Sequence, residues 1–217
     1  MKSFLVIGMG RFGGELARKL VELGNEVMVI DKSQLKISSI SDEFTDAQIG
    51  DCTNALVLSS LGVSNFDVCF VTIGDNFQSS LEITSLLKEL KAKKVVSKAN
   101  SQVQKKFLLR NGADEVVYPI KEVAERLAIR LSAKNLFDYI GLNTEFSISE
   151  IPVHESWIGK TLAKANVRNN HDINVLAIKK DGALTPLTNI NYVFEKNDHV
   201  IVFGKNTDIF KLSDKIK

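Results

Sequence analysis

A glycine-rich segment near the start of the chain constrains the fold more than any other feature. Gly8, Gly10 and Gly13 form the pattern G-x-G-x-x-G in GMGRFG, between the apolar run FLVI and a helical spacing of leucines. A second apolar run then ends in Asp31, at about the 20-residue distance typical of this pattern. The order of strand, glycine turn, helix, strand and acid predicts a nucleotide-binding unit.

The three glycines have separate expected roles. Gly8 allows a tight turn after the strand, Gly10 lets the backbone approach phosphate oxygens, and Gly13 permits close packing of the helix on the strand. The helix that begins here supplies unpaired N–H groups and the positive end of its dipole. We therefore expect a phosphate group at this turn; the alternative is a glycine turn with no ligand.

Polar residues around the pattern predict the kind of nucleotide. Asp31 is suited to accept hydrogen bonds from ribose hydroxyls and to repel a 2′-phosphate, which favours NAD or an adenosine nucleotide over NADP. Arg11 carries a guanidinium that can bind the terminal phosphate of ADP or ATP. In GDCTN, Asp51 is a candidate acceptor for the adenine amine. Thr53 is either a ligand contact or, as we favour, the cap of the next helix. The predicted site comprises Gly8, Gly10, Arg11, Phe12, Gly13, Asp31, Lys32, Asp51, Cys52, Thr53, Gly74 and Lys98.

Apolar runs and helical spacings alternate along residues 1–118, with short connections between them. This alternation predicts an α/β domain with a Rossmann-like, doubly wound, six-stranded parallel sheet. The TIGDN segment at 72–76 follows the fourth strand and is expected at the crevice where the strand order reverses. Lys98, after the fifth strand, either reaches a phosphate or is solvated. The predicted strands are 4–7, 27–30, 47–50, 68–73, 95–96 and 115–118.

The rest of the chain divides into a helical segment, 119–143, and a small α+β domain, 144–217. We expect the helix to pack on a partner subunit; the alternative is that it covers its own sheet. In the small domain, KKDG at 179–182 predicts a hairpin with Asp-Gly at its tip. Four apolar residues at helical spacing form one face of the helix: Ile120, Ala124, Leu127 and Leu131. The small domain is predicted to have strands at 146–149, 175–178 and 200–203, a short helix at 160–165 and a closing helix over 209–216.

Composition argues against several classes of protein. The formal net charge of +2 lacks the basic excess of a nucleic-acid-binding protein. The apolar runs are far shorter than the ~20 residues that span a bilayer, so we expect any membrane role to come through a partner. Cys52 and Cys69 have no disulfide or metal-site spacing, and no signal peptide is visible, which predicts a reducing cytoplasm. GKT at 159–161 is not a P-loop, because His154 stands where the first glycine would be.

The sequence shows no catalytic pattern. Hydride transfer needs a placed acid or base, and we expect no histidine near the end of a sheet strand. His154, His171 and His199 lie in polar or strand-like segments without zinc-ligand spacing, and no Tyr-x-x-x-Lys or His-Asp pair is evident. We therefore predict a sensor with no catalytic and no metal-binding residues. An NAD-dependent oxidoreductase is the alternative, and a redox-sensing repressor is disfavoured because no helix-turn-helix is evident.

Several segments together carry a family resemblance. The GMGRFG opening, VID, GDCTN, VTIGDN, GADEVVYP and INVLAIKKDG resemble RCK proteins over nearly the whole chain. The chain is most similar to cytosolic gating subunits of Ktr- and Trk-type potassium uptake systems, which have a TrkA-N domain and then a TrkA-C domain. The resemblance implies ATP, ADP or NAD(H) as regulatory ligands and a membrane-embedded potassium-translocating partner. It also implies a homodimer that assembles into an octameric ring, in the cytoplasm and peripheral to the inner face of the membrane.

The resemblance further implies that cyclic di-AMP binds the C-terminal domain at a dimer interface and inhibits transport. Arg168 is expected in a turn, where two symmetry-related guanidinium groups would need an anion between them. Asn174 is suited to an adenine edge, and Ile173 and Pro186 would cover the rings. The alternative is a solvated Arg168, with Asn174 capping a turn. Many Ktr subunits carry a glutamate, associated with a divalent ion between subunits, where this chain has Ile120. The nearby Glu122 is the alternative ligand, and we assign no metal-binding residue.

Overall fold

The computed structural model describes residues 1–44 and 46–216 of the chain. The chain divides into two compact units, Met1–Ile120 and Lys121–Lys217. The last residue of the predicted C-terminal domain, Lys217, lies outside the described residues. The proposed boundary between residues 118 and 119 lies close to this division, whereas the segment 119–143 contributes a strand to the sheet of the second unit.

The first unit is built on a parallel sheet, which has six strands within the described residues. Its strands are β1 (Ser3–Ile7), β2 (Glu26–Asp31), β3 (Asp46–Ile49), β4 (Val68–Val71), β5 (Val95–Lys98) and β6 (Glu115–Val117). The strand order is β3-β2-β1-β4-β5-β6, and every neighbouring pair is parallel. This order confirms the predicted doubly wound sheet. The order reverses between β1 and β4, so a crevice opens where these two strands end.

Burial explains why β1 reads as a continuous apolar run. Phe4 and Val6 belong to one apolar cluster, while Leu5 and Ile7 belong to another. Successive side chains of a strand point to opposite faces, so a sheet with both faces covered needs apolar residues at every position. The strand that carries the glycine turn is thereby held at the centre of the unit.

Helices connect the strands of the first unit: α1 (Arg11–Glu22), α2 (Gln34–Ser38), α3 (Ala55–Ser60), α4 (Phe77–Glu89) and α5 (Gln102–Arg110). Helix α1 ends shortly before Gly24, which has a φ of 78°. The prediction that Thr53 caps α3 is wrong, because the cap is Asn54, whose side chain accepts from the Leu56 N–H. The Thr53 hydroxyl instead donates to Asp51.

The second unit carries an antiparallel sheet with helices, as predicted for an α+β domain. Helix α6 (Pro119–Ser132) begins in the last two residues of the first unit. The elements that follow it are β7 (Asp138–Gly141), β8 (Phe146–Pro152), α7 (Leu162–Ala165), α8 (Val167–His171), β9 (Ile173–Lys180), β10 (Ala183–Pro186), β11 (His199–Lys205) and α9 (Asn206–Ser213). Among the described residues the sheet has five strands in the order β10-β9-β11-β8-β7. The predicted hairpin joins β9 to β10, with positive φ at both Asp181 and Gly182, as a type I′ turn requires.

Helix α6 buries none of its residues within the single chain. Its apolar face is open, with Ile120 65% exposed and Leu131 71% exposed. Arg126 binds Asp138 at 2.8 Å and so joins α6 to β7. The expectation that a partner subunit covers this face stays a prediction.

Candidate nucleotide-binding site

The glycine turn has the geometry that its sequence predicted. Gly8 has a φ of 101°, a conformation that residues with a Cβ avoid. A Cβ on Gly13 would overlap the carbonyl oxygen of Gly8 and the hydroxyl of Thr72. Helix α1 can therefore approach the turn only because Gly13 has no side chain.

A cavity of about 200 Å³ opens beside this turn, at the carboxyl ends of β1 and β4. Its lining brings together eight of the predicted site residues: Gly8, Gly10, Asp31, Lys32, Asp51, Cys52, Thr53 and Gly74. Pockets that enclose a whole cofactor usually have volumes of about 300–1,000 Å³. The cavity therefore has room for part of a nucleotide, and the remainder would extend beyond it.

The other four predicted residues do not line this cavity: Arg11, Phe12, Gly13 and Lys98. Arg11 is exposed in the first turn of α1. The Lys98 ammonium lies 6.0 Å from the centre of the Phe12 ring, and it would be 2.9 Å from a Cβ on Gly74. A ligand contact by Arg11, Phe12 or Lys98 stays a prediction.

Asp31 ends β2 at the cavity and is only 7% exposed. One carboxylate oxygen accepts from the Met9 N–H at 2.7 Å and from the Lys36 ammonium at 3.0 Å. The other accepts from the Ser33 N–H at 2.9 Å. The carboxylate faces the cavity as the ribose-binding role requires, but the chain itself already occupies much of its acceptor capacity.

Lys36 is a site residue that the sequence interpretation missed. It lies in the short helix after β2 and lines the cavity together with Asp75 and Ser79. The available signal was its spacing of five residues from Asp31, because the turn after β2 brings the start of α2 back over the strand end. Asp75, beside Gly74, was visible in the TIGDN segment.

Asp51 and Cys52 present contrasting groups at the third strand end. The Thr53 hydroxyl and N–H bind Asp51 at 2.8 and 3.0 Å and lower the pKa of its carboxyl. Burial, aided by the charges of Asp51 and Asp31, raises the pKa of the Cys52 thiol to about 12. Asp51 is thus an anionic acceptor, whereas Cys52 is a neutral thiol that offers apolar surface and no nucleophile near neutral pH.

The second unit places the predicted cyclic di-AMP residues in different environments. Arg168 is exposed in α8, so the prediction of a turn there is wrong. Helix α8 is bounded by Asn166 and Asp172, which both adopt the left-handed conformation that asparagine and aspartate tolerate. Ile173 is 0% exposed in the apolar core, so within a single chain it offers no surface to a ligand.

The other two members of that predicted set lie on strands. Asn174 is half-buried in β9, and Pro186 is exposed at the end of β10. Whether Arg168, Ile173, Asn174 and Pro186 contact a ligand stays a prediction.

The position of His199 corrects the expectation that no histidine lies near the end of a sheet strand. His199 begins β11, and its Nδ1 lies 2.8 Å from Glu150 Oε1 on the neighbouring β8. The other Glu150 oxygen accepts from Lys179 of β9 at 2.7 Å. This cluster could not be predicted from the sequence, because strand pairing and not spacing along the chain brings the three residues together.

The described residues offer no candidate metal site and no candidate membrane-spanning helix. No group of three or more histidine, cysteine, aspartate or glutamate side chains there is arranged to hold a metal ion. No helix within those residues is long and apolar enough to cross a bilayer.

Comparison with known proteins assigns a known family domain to each unit. Residues 4–119 match the TrkA-N domain and residues 147–217 match the TrkA-C domain. The Ktr system potassium uptake protein C of Bacillus subtilis is 37% identical over 217 residues, which cover 99% of this chain and 97% of that protein. The chain belongs to the RCK family of TrkA-N and TrkA-C proteins. The Ktr system potassium uptake protein A of the same organism is 33% identical over 99% of this chain and 96% of its own length.

A solved structure has the same fold as the TrkA-N and TrkA-C domains together. The GsuK channel bound to NAD aligns with a TM-score of 0.68 and 19% identity. The alignment covers 99% of this chain and 39% of the channel chain. The likeness at this level of identity concerns the fold.

Proposed function

We propose that this chain is the cytosolic, nucleotide-sensing regulatory subunit of a potassium uptake system. The observation that carries the proposal is the 37% identity to a Ktr potassium uptake protein over 99% of this chain and 97% of that protein. A cavity at the glycine turn of the TrkA-N domain supplies a place for the regulatory ligand. In this function the chain gates a membrane-embedded potassium-translocating subunit and does not itself conduct ions.

The regulatory ligands of the TrkA-N domain are ATP, ADP or NAD(H). Asp31 at the cavity suits a ribose, and the N-terminus of α1 suits a phosphate. The GsuK channel, which shares the fold, is described as bound to NAD. Arg11, exposed beside the turn, would meet a terminal phosphate, so Arg11→Ala should weaken ATP binding more than NAD binding in titration calorimetry. An equal loss for both ligands would remove Arg11 from that role.

The assembly and location that we propose are those that the family resemblance implies. The chain forms a homodimer that assembles into an octameric ring, peripheral to the inner face of the cell membrane. The open apolar face of α6 supports a dimer, since isolated chains rarely leave such a face in water. The formal net charge of +2 supports a protein that does not bind nucleic acid.

The TrkA-C domain is proposed to bind cyclic di-AMP, which inhibits transport. Exposed Arg168 and half-buried Asn174 support this site, whereas the buried Ile173 would reach a ligand only after rearrangement. Calorimetry of the full chain with cyclic di-AMP should show saturable binding that Arg168→Ala weakens. If wild-type protein shows no binding at ~100 µM, where a weak site of about −5.5 kcal/mol would be half filled, this part of the proposal fails.

The chain is proposed not to be an enzyme. An oxidoreductase would change the absorbance of NADH when its substrate is added, whereas a sensor binds NADH and returns it unchanged. The decisive experiment on the regulatory role is copurification of the full chain from native membranes. A potassium-translocating subunit in the eluate supports the proposal, and a chain that elutes alone under conditions that preserve membrane complexes contradicts it.

A further inference from the structure

The Lys36 side chain forms an ion pair with Asp31, the acidic residue that is expected to bind ribose. Its ammonium lies 3.0 Å from Asp31 Oδ2, and both residues line the cavity at the glycine turn. Lys32 lines the same cavity. The cavity lining carries three carboxylates, those of Asp31, Asp51 and Asp75, and two ammonium groups, and the Lys36 ammonium pairs directly with Asp31.

Asp31 has too few open acceptor positions for a ribose while Lys36 stays in place. A carboxylate offers about four lone-pair positions, and Met9 N–H, Ser33 N–H and Lys36 fill three of them. The two hydroxyls of a ribose 2′,3′-diol need two positions. The backbone donors are fixed by the turn and by the start of α2, whereas the Lys36 side chain is 47% exposed and free to swing away.

We propose that Lys36 sets the selectivity of this site between a free ribose diol and a 2′-phosphorylated ribose. A free diol displaces the Lys36 ammonium from Asp31, so Lys36 weakens the binding of NAD. A 2′-phosphate takes up that ammonium as its counter-ion, so Lys36 strengthens the binding of NADP and offsets the repulsion from Asp31. The inference rests on the proposed nucleotide binding and names the feature of the ligand that this end of the cavity distinguishes.

The test is calorimetric titration of NAD and NADP into the full chain and the variant Lys36→Met, which keeps the length of the side chain and removes its charge. NAD should bind about two- to fivefold more tightly, because a competing half-exposed ion pair is gone. NADP should bind about tenfold more weakly, because a charge-assisted hydrogen bond to phosphate is lost. Lys36→Arg, which restores the charge, should retain NADP binding.

Lys19→Met is the matched control. It removes the same charge from the same unit, but Lys19 lies on α1 paired with Glu22 and does not line the cavity. This variant should leave the ratio of the NAD and NADP affinities unchanged.

The outcomes separate this inference from the proposed function. Opposite changes for NAD and NADP in Lys36→Met support the inference. If both ligands weaken by the same factor, or neither changes, Lys36 does not set selectivity, while nucleotide sensing stands. If the wild-type chain binds no nucleotide at all, both the inference and the proposed nucleotide site are overturned.

Discussion

The Thr72 hydroxyl donates a 2.5 Å hydrogen bond to the main-chain carbonyl of Gly8, which ties the end of β4 to the turn after β1. It also lies 3.1 Å from the carbonyl oxygen of Ile7, and Thr72 is buried. Replacement by valine keeps the shape and leaves a buried carbonyl without its donor, a loss of about 1–3 kcal/mol. We expect Thr72→Val to lower the free energy of unfolding in urea by that amount.

Thr72→Ser is the control for this prediction, because it keeps the hydroxyl and removes only a methyl group. The serine variant should retain most of the stability that valine loses. A valine variant as stable as the wild type would show that the Thr72 hydroxyl does not hold the turn.

Adjacent glycines of α1 should respond to alanine in opposite directions. A Cβ on Gly13 overlaps the Gly8 carbonyl, so Gly13→Ala should destabilise the chain by about 1–3 kcal/mol. A Cβ on Gly14 meets only Arg18, at 3.6 Å, so Gly14→Ala should stabilise it by about 0.5–1 kcal/mol through helix propensity. Thermal unfolding of both variants checks the pair, and equal effects would refute the close approach at Gly13.

The sequence predicted the parts of the site that depend on local order. Gly8, Gly13 and Asp31 were identified because a tight turn, a close helix and a strand end each need a particular residue type at a fixed spacing. Lys36 was missed because its contact depends on how the short turn after β2 folds back, which no periodicity records.

In the second unit, too, the sequence predicted a local turn but not a contact between neighbouring strands. The Asp181-Gly182 turn was predicted correctly from two residues, whereas the His199–Glu150 pair depends on the pairing of β11 with β8. Ile173 was assigned to a ligand although it lies in the core. Its neighbours along the chain did not reveal which face of β9 is covered.

The raised pKa values of two buried thiols predict how the free energy of unfolding changes at alkaline pH. Burial, together with the charges of Asp51 and Asp31, raises the pKa of Cys52 from 9.0 to about 12, and burial raises the pKa of Cys69 from 9.0 to about 12. The unfolded chain therefore releases both protons at lower pH than the folded chain. The stability that the neutral thiols contribute is fully present below pH 9 and is lost as the pH rises towards 12.

The expected slope is at most about 1.4 kcal/mol per pH unit for each thiol. Urea unfolding between about pH 8 and 11 should show a shallower fall in stability for Cys69→Ala than for the wild type. The two slopes should differ by at most about 1.4 kcal/mol per pH unit. The comparison with the wild type isolates the thiol from Tyr192, whose pKa is also raised to about 12, by burial and its bond to Asp198. Identical slopes in the two proteins would show that the Cys69 thiol does not contribute to the loss of stability at alkaline pH.

The apolar face of α6 predicts an obligate assembly. Four large apolar residues of this helix expose their side chains in the single chain: Ile120, Val123, Leu127 and Leu131. A charge at the centre of a buried apolar interface is strongly unfavourable, so Leu127→Glu should dissociate the protein to its 24.0 kDa chain in light scattering. Leu35→Glu, at an 85% exposed position of α2, should not. A monomeric wild type at micromolar concentration would refute this prediction.

The most direct test of the regulatory role joins the nucleotide site to potassium transport. Potassium flux through the copurified complex in lipid vesicles should be measured over a range of ATP, ADP and NAD concentrations, with the wild-type chain and with Asp31→Ala. Removing the charged acceptor of the ribose should cost roughly 1.5–3 kcal/mol of ligand binding. Nucleotide should change the wild-type flux, and Asp31→Ala should shift the response to about ten- to a hundredfold higher concentration. A flux that does not respond to a nucleotide which the wild-type chain demonstrably binds would contradict the regulatory role.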